Sequence, residues 1–137
     1  MNYSFNWSAV SGGAPYITIS SLGISFNSVS IEKLKNPEKI LIGFDEENMM
    51  LGIKEYQGEE NTKPYEFASR VKQGWIRIGC KDFINYLTTL AKFDFSKATK
   101  FTAEFDKDTN MLLVDIKNGL LRMKNENNKK KTAESLD

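Results

Sequence analysis

Histidine is absent from this chain of 137 residues, and cysteine occurs once, as Cys80. Histidine is the commonest general base, the usual orienting member of a catalytic triad and the commonest zinc ligand. Its absence argues against these kinds of catalytic and metal site. A single cysteine cannot form an internal disulfide, as is typical of proteins in a reducing cytoplasm. We therefore expect a cytoplasmic protein that is not an enzyme and has no cofactor.

The chain also lacks a large excess of charge of either sign. It contains 19 basic and 18 acidic residues, and its net charge is +1. The net charge is too small to attract nucleic acid or an anionic membrane to the protein as a whole. Either partner would have to bind a local patch of basic residues. The N-terminus lacks the pattern of a signal peptide, and no apolar run is long enough to cross a bilayer. We expect no membrane contact.

The composition favours one globular domain. Apolar residues make up 40% of the chain and aromatic residues 12%, which is enough to build a core. Apolar residues become rare near the C-terminus, where the chain reads NNKKK over residues 127–131. We predict a single domain over residues 1–118 and a largely disordered tail over residues 119–137.

The strongest positive pattern is an internal repeat. The first half ends with FDEENMMLGIK at residues 44–54, and the second ends with FDKDTNMLLVDIK at residues 105–117. Upstream of each segment, apolar residues alternate as they do in a strand with one buried face. Each half is therefore predicted to close with a hairpin around a turn that runs from Asp to Asn.

The beginnings of the two halves also match. Residues 16–27 read YITISSLGISFN and residues 65–78 read YEFASRVKQGWIRI, with a glycine-marked turn in each. A short helix capped by Asn27 or Ser28 follows the first, and a longer helix from about Lys81 follows the second. We predict repeat one at 16–54, a linker at 55–64 and repeat two at 65–117. Each repeat is strand, turn, strand, helix, strand, turn, strand.

These segments resemble the swapped-hairpin domain of the AbrB, MazE and SpoVT type. The similarity lies in TISSLGISF at residues 18–26, PEKILIGFD at 37–45 and MLGIK at 50–54, with SRVKQGWIRI at 69–78 as a diverged second copy. The resemblance implies an α+β, mostly β fold in which tandem repeats form a swapped-hairpin or cradle-loop-like barrel. One chain would supply both halves as a pseudo-dimer, and a homodimer of such chains is possible.

The resemblance also implies a DNA-binding transcription regulator, because this family binds DNA with basic residues of its first hairpin. Here the first copy has serines where the family tends to carry charge, whereas the second copy is basic. The predicted DNA- or ligand-binding residues are Arg70, Lys72, Trp75, Arg77 and Lys81. The alternative is that these are solvated side chains opposite a buried strand face.

A second hypothesis is a small interaction protein of the phage or mobile-element type. Tyr3, Phe5 and Trp7 alternate with polar residues, which is typical of a strand covering a sheet edge or of a surface for a protein partner. Such a protein could inhibit a host protein through these aromatics, or sequester a nucleotide-like ligand at Arg70, Trp75 and Arg77. A third hypothesis is an antitoxin whose tail after Gly119 folds on its partner.

Two local features have a placement or spacing that is typical of chemical sites. Cys80 can be read as a reactive thiol at a helix N-terminus or as a buried structural residue, and the lack of histidine favours the second interpretation. Residues 106–110 have the spacing that opens an EF-hand loop. However, Met111 and Lys117 stand where that loop needs glycine and glutamate. The segment is therefore interpreted as a hairpin turn.

Overall fold

A computed structural model describes residues 13–123. This part of the chain is α+β and mostly β, as predicted, with two antiparallel sheets and three helices. The predicted strand at Tyr3, Phe5 and Trp7 and the basic tail segment lie outside the described residues. Among the described helices, none combines the length and the apolar character that a bilayer-spanning helix needs.

The elements follow one another with short connections. The first half of the described chain comprises β1 (Tyr16–Ile19), β2 (Gly23–Phe26), α1 (Ser28–Lys33), β3 (Lys39–Asp45) and β4 (Met50–Glu55). The second half comprises β5 (Tyr65–Glu66), a 3₁₀ turn (Ala68–Arg70), β6 (Val71–Lys72), β7 (Trp75–Gly79), α2 (Lys81–Ala91), β8 (Thr99–Thr102), β9 (Glu104–Asp106), β10 (Met111–Asp115) and α3 over residues 116–123.

The strands form two five-stranded sheets. The first sheet has the order β6-β7-β2-β1-β8 and the second has the order β5-β3-β4-β10-β9. The chain passes between the sheets three times: from β2 to β3 through α1, from β5 to β6 through the 3₁₀ turn, and from β8 to β9 at Ala103. The predicted closed barrel is wrong, because each sheet ends in edge strands that no other strand of residues 13–123 joins.

One hydrophobic core lies between the sheets. Most strands place alternate side chains inward, as their period-two pattern predicts, whereas both residues of β6 are exposed. The two sheets and both longer helices contribute to this core, and its fully buried aliphatic residues include Ile17, Ile19, Ile24, Leu51, Ile53, Ile76, Leu87, Leu112 and Val114. The outward faces of the sheets are therefore left for polar side chains and for function.

The start of α1 is fixed by a buried asparagine. Asn27 Oδ1 accepts hydrogen bonds from the N–H groups of Ser30, at 2.9 Å, and Tyr16, at 3.1 Å. Its Nδ2 donates to the carbonyl of Ala14 at 3.2 Å. Of the two capping residues that the sequence allowed, Asn27 is the N-cap. This side chain also ties the segment before β1 to the helix.

The β3–β4 and β9–β10 hairpin turns have similar hydrogen bonds and backbone angles. The N–H of Asn48 donates to Asp45 Oδ1 at 3.1 Å, and that of Asp108 donates to Asp106 Oδ1 at 3.2 Å. The side-chain and backbone hydrogen bonds from Asn48 lower the pKa of Asp45 below its ordinary value. Met49 and Asn110 close the turns with φ of 54° and 55°. Residues 106–110 thus lie at a β-hairpin.

Candidate nucleic-acid interface

A polar row crosses the outward face of the first sheet. The register places Arg77 opposite Ser25, Ser25 opposite Thr18, and Thr18 opposite Lys100. Apart from the half-buried Thr99, their neighbours along each strand are buried in the core, so these four side chains face outward. Three strand spacings of about 4.8 Å separate the ends of the row, so Arg77 and Lys100 lie about 14 Å apart.

Aromatic rings lie beside this row. Trp75 is opposite Lys72 in the β6–β7 hairpin, and its ring contacts that of Tyr16 edge-on, with centroids 5.7 Å apart. Lys100 Nζ lies 3.8 Å from the centroid of the Tyr16 ring, which is a close cation–π contact. We call the surface formed by Tyr16, Lys72, Trp75, Arg77 and Lys100 the basic face.

Charge is separated between the two sheets. The strands of the first sheet contain Lys72, Arg77 and Lys100 and no carboxylate. The strands of the second sheet contain Lys39 and Lys54 together with the carboxylates Asp45, Glu55, Glu66, Glu104, Asp106 and Asp115. The near-zero net charge of the chain therefore conceals a cationic surface.

The cations of the basic face are not neutralised by ion pairs with other described residues. The salt bridges of residues 13–123 involve the second sheet, where Lys39 pairs with Glu66 at 3.7 Å and Lys54 with Glu59 at 3.6 Å. Trp75 is 42% exposed, which is unusual for so large an apolar side chain. Free cations around an exposed ring suit a ligand that is both anionic and flat.

A cavity of about 340 Å³ adjoins the basic face. Its lining includes the aromatic rings of Tyr16 and Trp75 together with four polar residues, Asn27, Ser28, Lys100 and Thr102. Its size falls within the range of small-molecule sites, and its lining combines apolar rings with polar groups that can orient a ligand. The cavity is thus suited to a base or a sugar beside the charged row.

The structure brings together some of the predicted binding residues. Lys72, Trp75 and Arg77 share the basic face. Arg70 is exposed in the 3₁₀ turn before β6, and Lys81 is exposed at the first residue of α2, so both lie outside the strands of the sheet. The predicted partner-binding residues at the N-terminus lie outside the described part.

Sequence reasoning missed Tyr16 and Lys100. The alternation in β8 was visible in the sequence and placed Lys100 outward. What was missing was the pairing of β1 with β8, which sets Thr18 against Lys100 although more than 80 residues separate them. Only this long-range register places the lysine beside the Tyr16 ring.

Cys80 is not a reactive thiol in this fold. Its side chain is 5% exposed and its Sγ lies 3.8 Å from the carbonyl oxygen of Ile78. Burial raises the pKa of Cys80 to about 11, because a thiolate loses its hydration there. The thiol stays protonated at neutral pH, as a structural cysteine does.

We expect Cys80 to react slowly with a disulfide reagent in the native protein at a pH of about 8. The thiolate is the reacting form, and raising the pKa from 9.0 to about 11 lowers its population about a hundredfold. Burial slows the reaction further. Absorbance of the released thiol should show native labelling at least about a hundredfold slower than labelling of the protein unfolded in guanidinium. Equal rates would contradict the buried, protonated state.

No protein-family model, curated protein or solved structure matches this chain. The resemblance of residues 18–54 to the AbrB, MazE and SpoVT type therefore stays a prediction.

Proposed function

We propose that this protein binds nucleic acid through the basic face. The observation that carries the proposal is a carboxylate-free sheet surface on which Lys72, Arg77 and Lys100 surround the exposed ring of Trp75. Cations that release counterions from phosphates supply most of the affinity for nucleic acid. Aromatic rings on a sheet surface add stacking on bases.

The row from Arg77 to Lys100 is suited to a phosphate backbone. The hydroxyls of Ser25 and Thr18 lie between the two cations and can donate hydrogen bonds to phosphate oxygens. The row of about 14 Å is long enough for its two cations to contact different phosphates of one strand. Contacts of this kind position a strand without reading its sequence.

The geometry favours a single strand over a duplex. Trp75 can stack on a base only if that base is unpaired and turned toward the sheet. The basic face is built of strands rather than of a helix that could enter a major groove. We expect single-stranded DNA or RNA as the ligand, and a duplex-binding regulator is the second candidate.

The proposal includes a tandem-repeat origin for the fold. The two halves share a strand–strand–helix–strand–strand order when β8 and β9 are counted as one interrupted strand, although the second half also has β5 and the 3₁₀ turn before it and α3 after it. Each sheet has at its centre an antiparallel pair that joins the halves, β2 with β7 and β4 with β10. The matching positive φ values at Met49 and Asn110 support the same relation. If the halves are copies of one unit, the hairpin β1–β2 corresponds to the hairpin β6–β7. Only β6–β7 contains cations, so the two copies would contribute unequally to binding.

Binding should weaken steeply with salt. We expect a fluorescently labelled oligothymidine of about 15 nucleotides to bind with a log–log salt slope of about −2, from three phosphate contacts of about 0.7 each. Affinity measured by fluorescence anisotropy should fall about 20-fold between about 50 and about 200 mM salt. A duplex of the same length should bind more weakly. Absence of binding at about 50 mM salt would overturn the proposal.

Two substitutions separate charge from stacking. Arg77→Ala should weaken binding and reduce the magnitude of the salt slope by about 0.7. Trp75→Ala should weaken binding about tenfold and leave the slope unchanged, because stacking does not release counterions. Lys107→Ala removes an equal charge from the turn between β9 and β10 and serves as the matched control. An equal loss in Lys107→Ala would show that only net charge matters.

The cavity beside Trp75 favours one further candidate, a protein that sequesters a small nucleotide. Its lining by Tyr16, Trp75 and Lys100 could hold a single base and one phosphate. Thymidine monophosphate is the probe that distinguishes the two functions. If it binds as tightly as the oligonucleotide, sequestration replaces strand binding; if it competes only weakly, the extended row is the site.

A further inference from the structure

Strand β3 is paired unequally on its two sides. Along its β4 side it is paired from Ile40, opposite Glu55, to Asp45, opposite Met50. On its other side β5 pairs only with Lys39 and Ile40. Among residues 13–123, no strand pairs with residues 41–45 on that side. The second sheet thus has a partly open edge.

The chain before β5 explains why the pairing stops. Antiparallel register would continue from Tyr65 opposite Ile40 to Lys63 opposite Ile42. Pro64 directly precedes β5, which is typical of the beginning of a strand. Asn61 has φ of 59°, which departs from extended geometry and turns the preceding chain. The open edge follows from these two residues.

The backbone groups on the open edge belong to Ile42 and Phe44. The backbone carbonyl of Glu38 accepts a hydrogen bond from the N–H of Phe67 at 2.8 Å, on the β5 side. The backbone carbonyl of Lys39 accepts one from the N–H of Tyr56 at 2.9 Å, on the β4 side. Alternate residues of a strand direct their backbone groups to opposite sides. Ile42 and Phe44 therefore present N–H and C=O groups to the open side.

A cavity of about 710 Å³ adjoins the edge. It is lined by the five consecutive residues 41–45 of β3, by residues of the neighbouring strands β4 and β10, and by residues of the segment before β5, of β5 and of α2: Met50, Gly52, Lys54, Met111, Leu113, Glu59, Thr62, Lys63, Tyr65 and Phe83. The cavity therefore begins at the edge of β3 and extends over the face of the second sheet. Phe44 and Tyr86 stack edge-on at 6.4 Å beside it. The space is thus long, largely apolar and bordered by backbone donors and acceptors.

We infer that an extended peptide of a partner protein adds to the second sheet along β3. Its backbone would pair with Ile42 and Phe44, and one alternate set of its side chains would fill the apolar cavity beside Phe83. An edge of this kind is a template for another chain unless it is covered. This surface lies on the second sheet and is separate from the basic face.

Charge at the two ends indicates which peptide fits. Four charged residues line the cavity: Lys54 pairs with Glu59, whereas Asp45 lies at the C-terminal end of β3 and Lys63 lies near the start of β5. Every strand pair of the described chain is antiparallel, and an antiparallel peptide begins near Asp45. We therefore assign a partner segment with a basic residue at its N-terminal end followed by alternating apolar residues.

The test uses a labelled hexapeptide, acetyl-KVTVTV-amide, titrated with the full-length protein. Two further peptides carry N-methyl groups on alternate amides, so that one set of N–H groups is removed from each. We expect saturable binding of the parent, a loss of at least about tenfold for one methylated peptide, and little change for the other, since two or more backbone hydrogen bonds are lost from only one. Absence of saturable binding, or equal binding by all three peptides, would overturn the inference.

Substitutions in the protein provide an independent arm. A Cβ at Gly43 meets nothing within 4 Å, so the first atom of a side chain fits there, and we expect Gly43→Leu to fold and to place its side chain in the cavity. It should lower peptide affinity at least about tenfold, as should Ile42→Pro, which removes one edge N–H. Gly79→Leu, at an equally open glycine of the first sheet, is the control and should bind normally.

The same variants identify other occupants. If light scattering detects a dimer of the wild type that Gly43→Leu dissociates, a second copy of this chain occupies the edge and the partner assignment is overturned. If a folded Gly43→Leu variant binds the peptide as the wild type does, the cavity is not the site. Arg77→Ala should leave peptide binding unchanged, which keeps this inference separate from that of nucleic-acid binding.

Discussion

Replacing Gly23 with alanine should lower the free energy of unfolding by about 3 kcal/mol or more. A Cβ built at this residue would lie 1.9 Å from the carbonyl oxygen of Ile78 and 2.9 Å from its carbonyl carbon. Both atoms belong to the backbone of β7, which cannot turn aside as the end of a side chain can. Two central strands of the first sheet would have to separate.

Gly79 offers a matched control for this substitution. It lies opposite Gly23 in the same strand pair, yet a Cβ there meets nothing within 4 Å. Gly79→Ala should change stability by less than about 1 kcal/mol and can raise it, because alanine restricts the unfolded chain. Urea denaturation of both variants measures the difference. Two variants of equal stability would show that the close approach at Gly23 is not needed.

Replacing Asn27 with alanine should lower the free energy of unfolding by about 3 kcal/mol. The side chain is only 6% exposed and makes three hydrogen bonds, to Ser30, Tyr16 and Ala14. Truncation removes the helix cap, which contributes about 1 kcal/mol, and leaves buried backbone groups unpaired at about 1–3 kcal/mol more. Thermal or urea denaturation would measure the loss.

Neighbouring substitutions isolate the role of Asn27. Asn27→Asp keeps an oxygen that accepts from Ser30 and Tyr16, and loses only the donor to Ala14, so we expect a smaller loss of about 1 kcal/mol. Ser28→Ala should change stability by less than about 0.5 kcal/mol, because Ser28 is exposed and does not cap the helix. Equal losses in Asn27→Ala and Ser28→Ala would contradict the assignment of the cap.

Local patterns in the sequence were sufficient for many of the elements, but not for α3 or for the 3₁₀ turn that separates β5 from β6. Alternating apolar residues predicted the strands around Ile40 and Phe101, and an asparagine followed by a short apolar helix predicted α1. The turn after Asp45 was predictable because its hydrogen bonds join residues three apart. Interactions over so short a distance along the chain leave a pattern that can be recognised without a structure.

The partition into two sheets could not be predicted in this way. A closed barrel and two open sheets bury the same alternate residues, so the period of the strands does not distinguish them. The distinction depends on the pairing of β1 with β8 and on the passage between sheets at Ala103. Both are long-range features that the resemblance to swapped-hairpin domains did not supply.

The same distinction applies to the candidate interface. Lys72, Trp75 and Arg77 lie on one hairpin, and their common face followed from strand alternation. Tyr16 and Lys100 come from strands that neighbour each other only in the sheet. For the open edge of β3, the sequence contains one local indication, Pro64, which marks the start of a strand. That this start leaves β3 partly unpaired depends on the long-range pairing of β5 with β3.

The separation of charge between the strands of the two sheets makes the β-structure of residues 13–123 electrically asymmetric across its core. A polyanion exerts a torque on such a charge distribution before any contact forms, and the first sheet turns toward it. The edge of β3 belongs to the sheet that then faces away. Orientation in the field thus sets which surface arrives first and which remains open to solution.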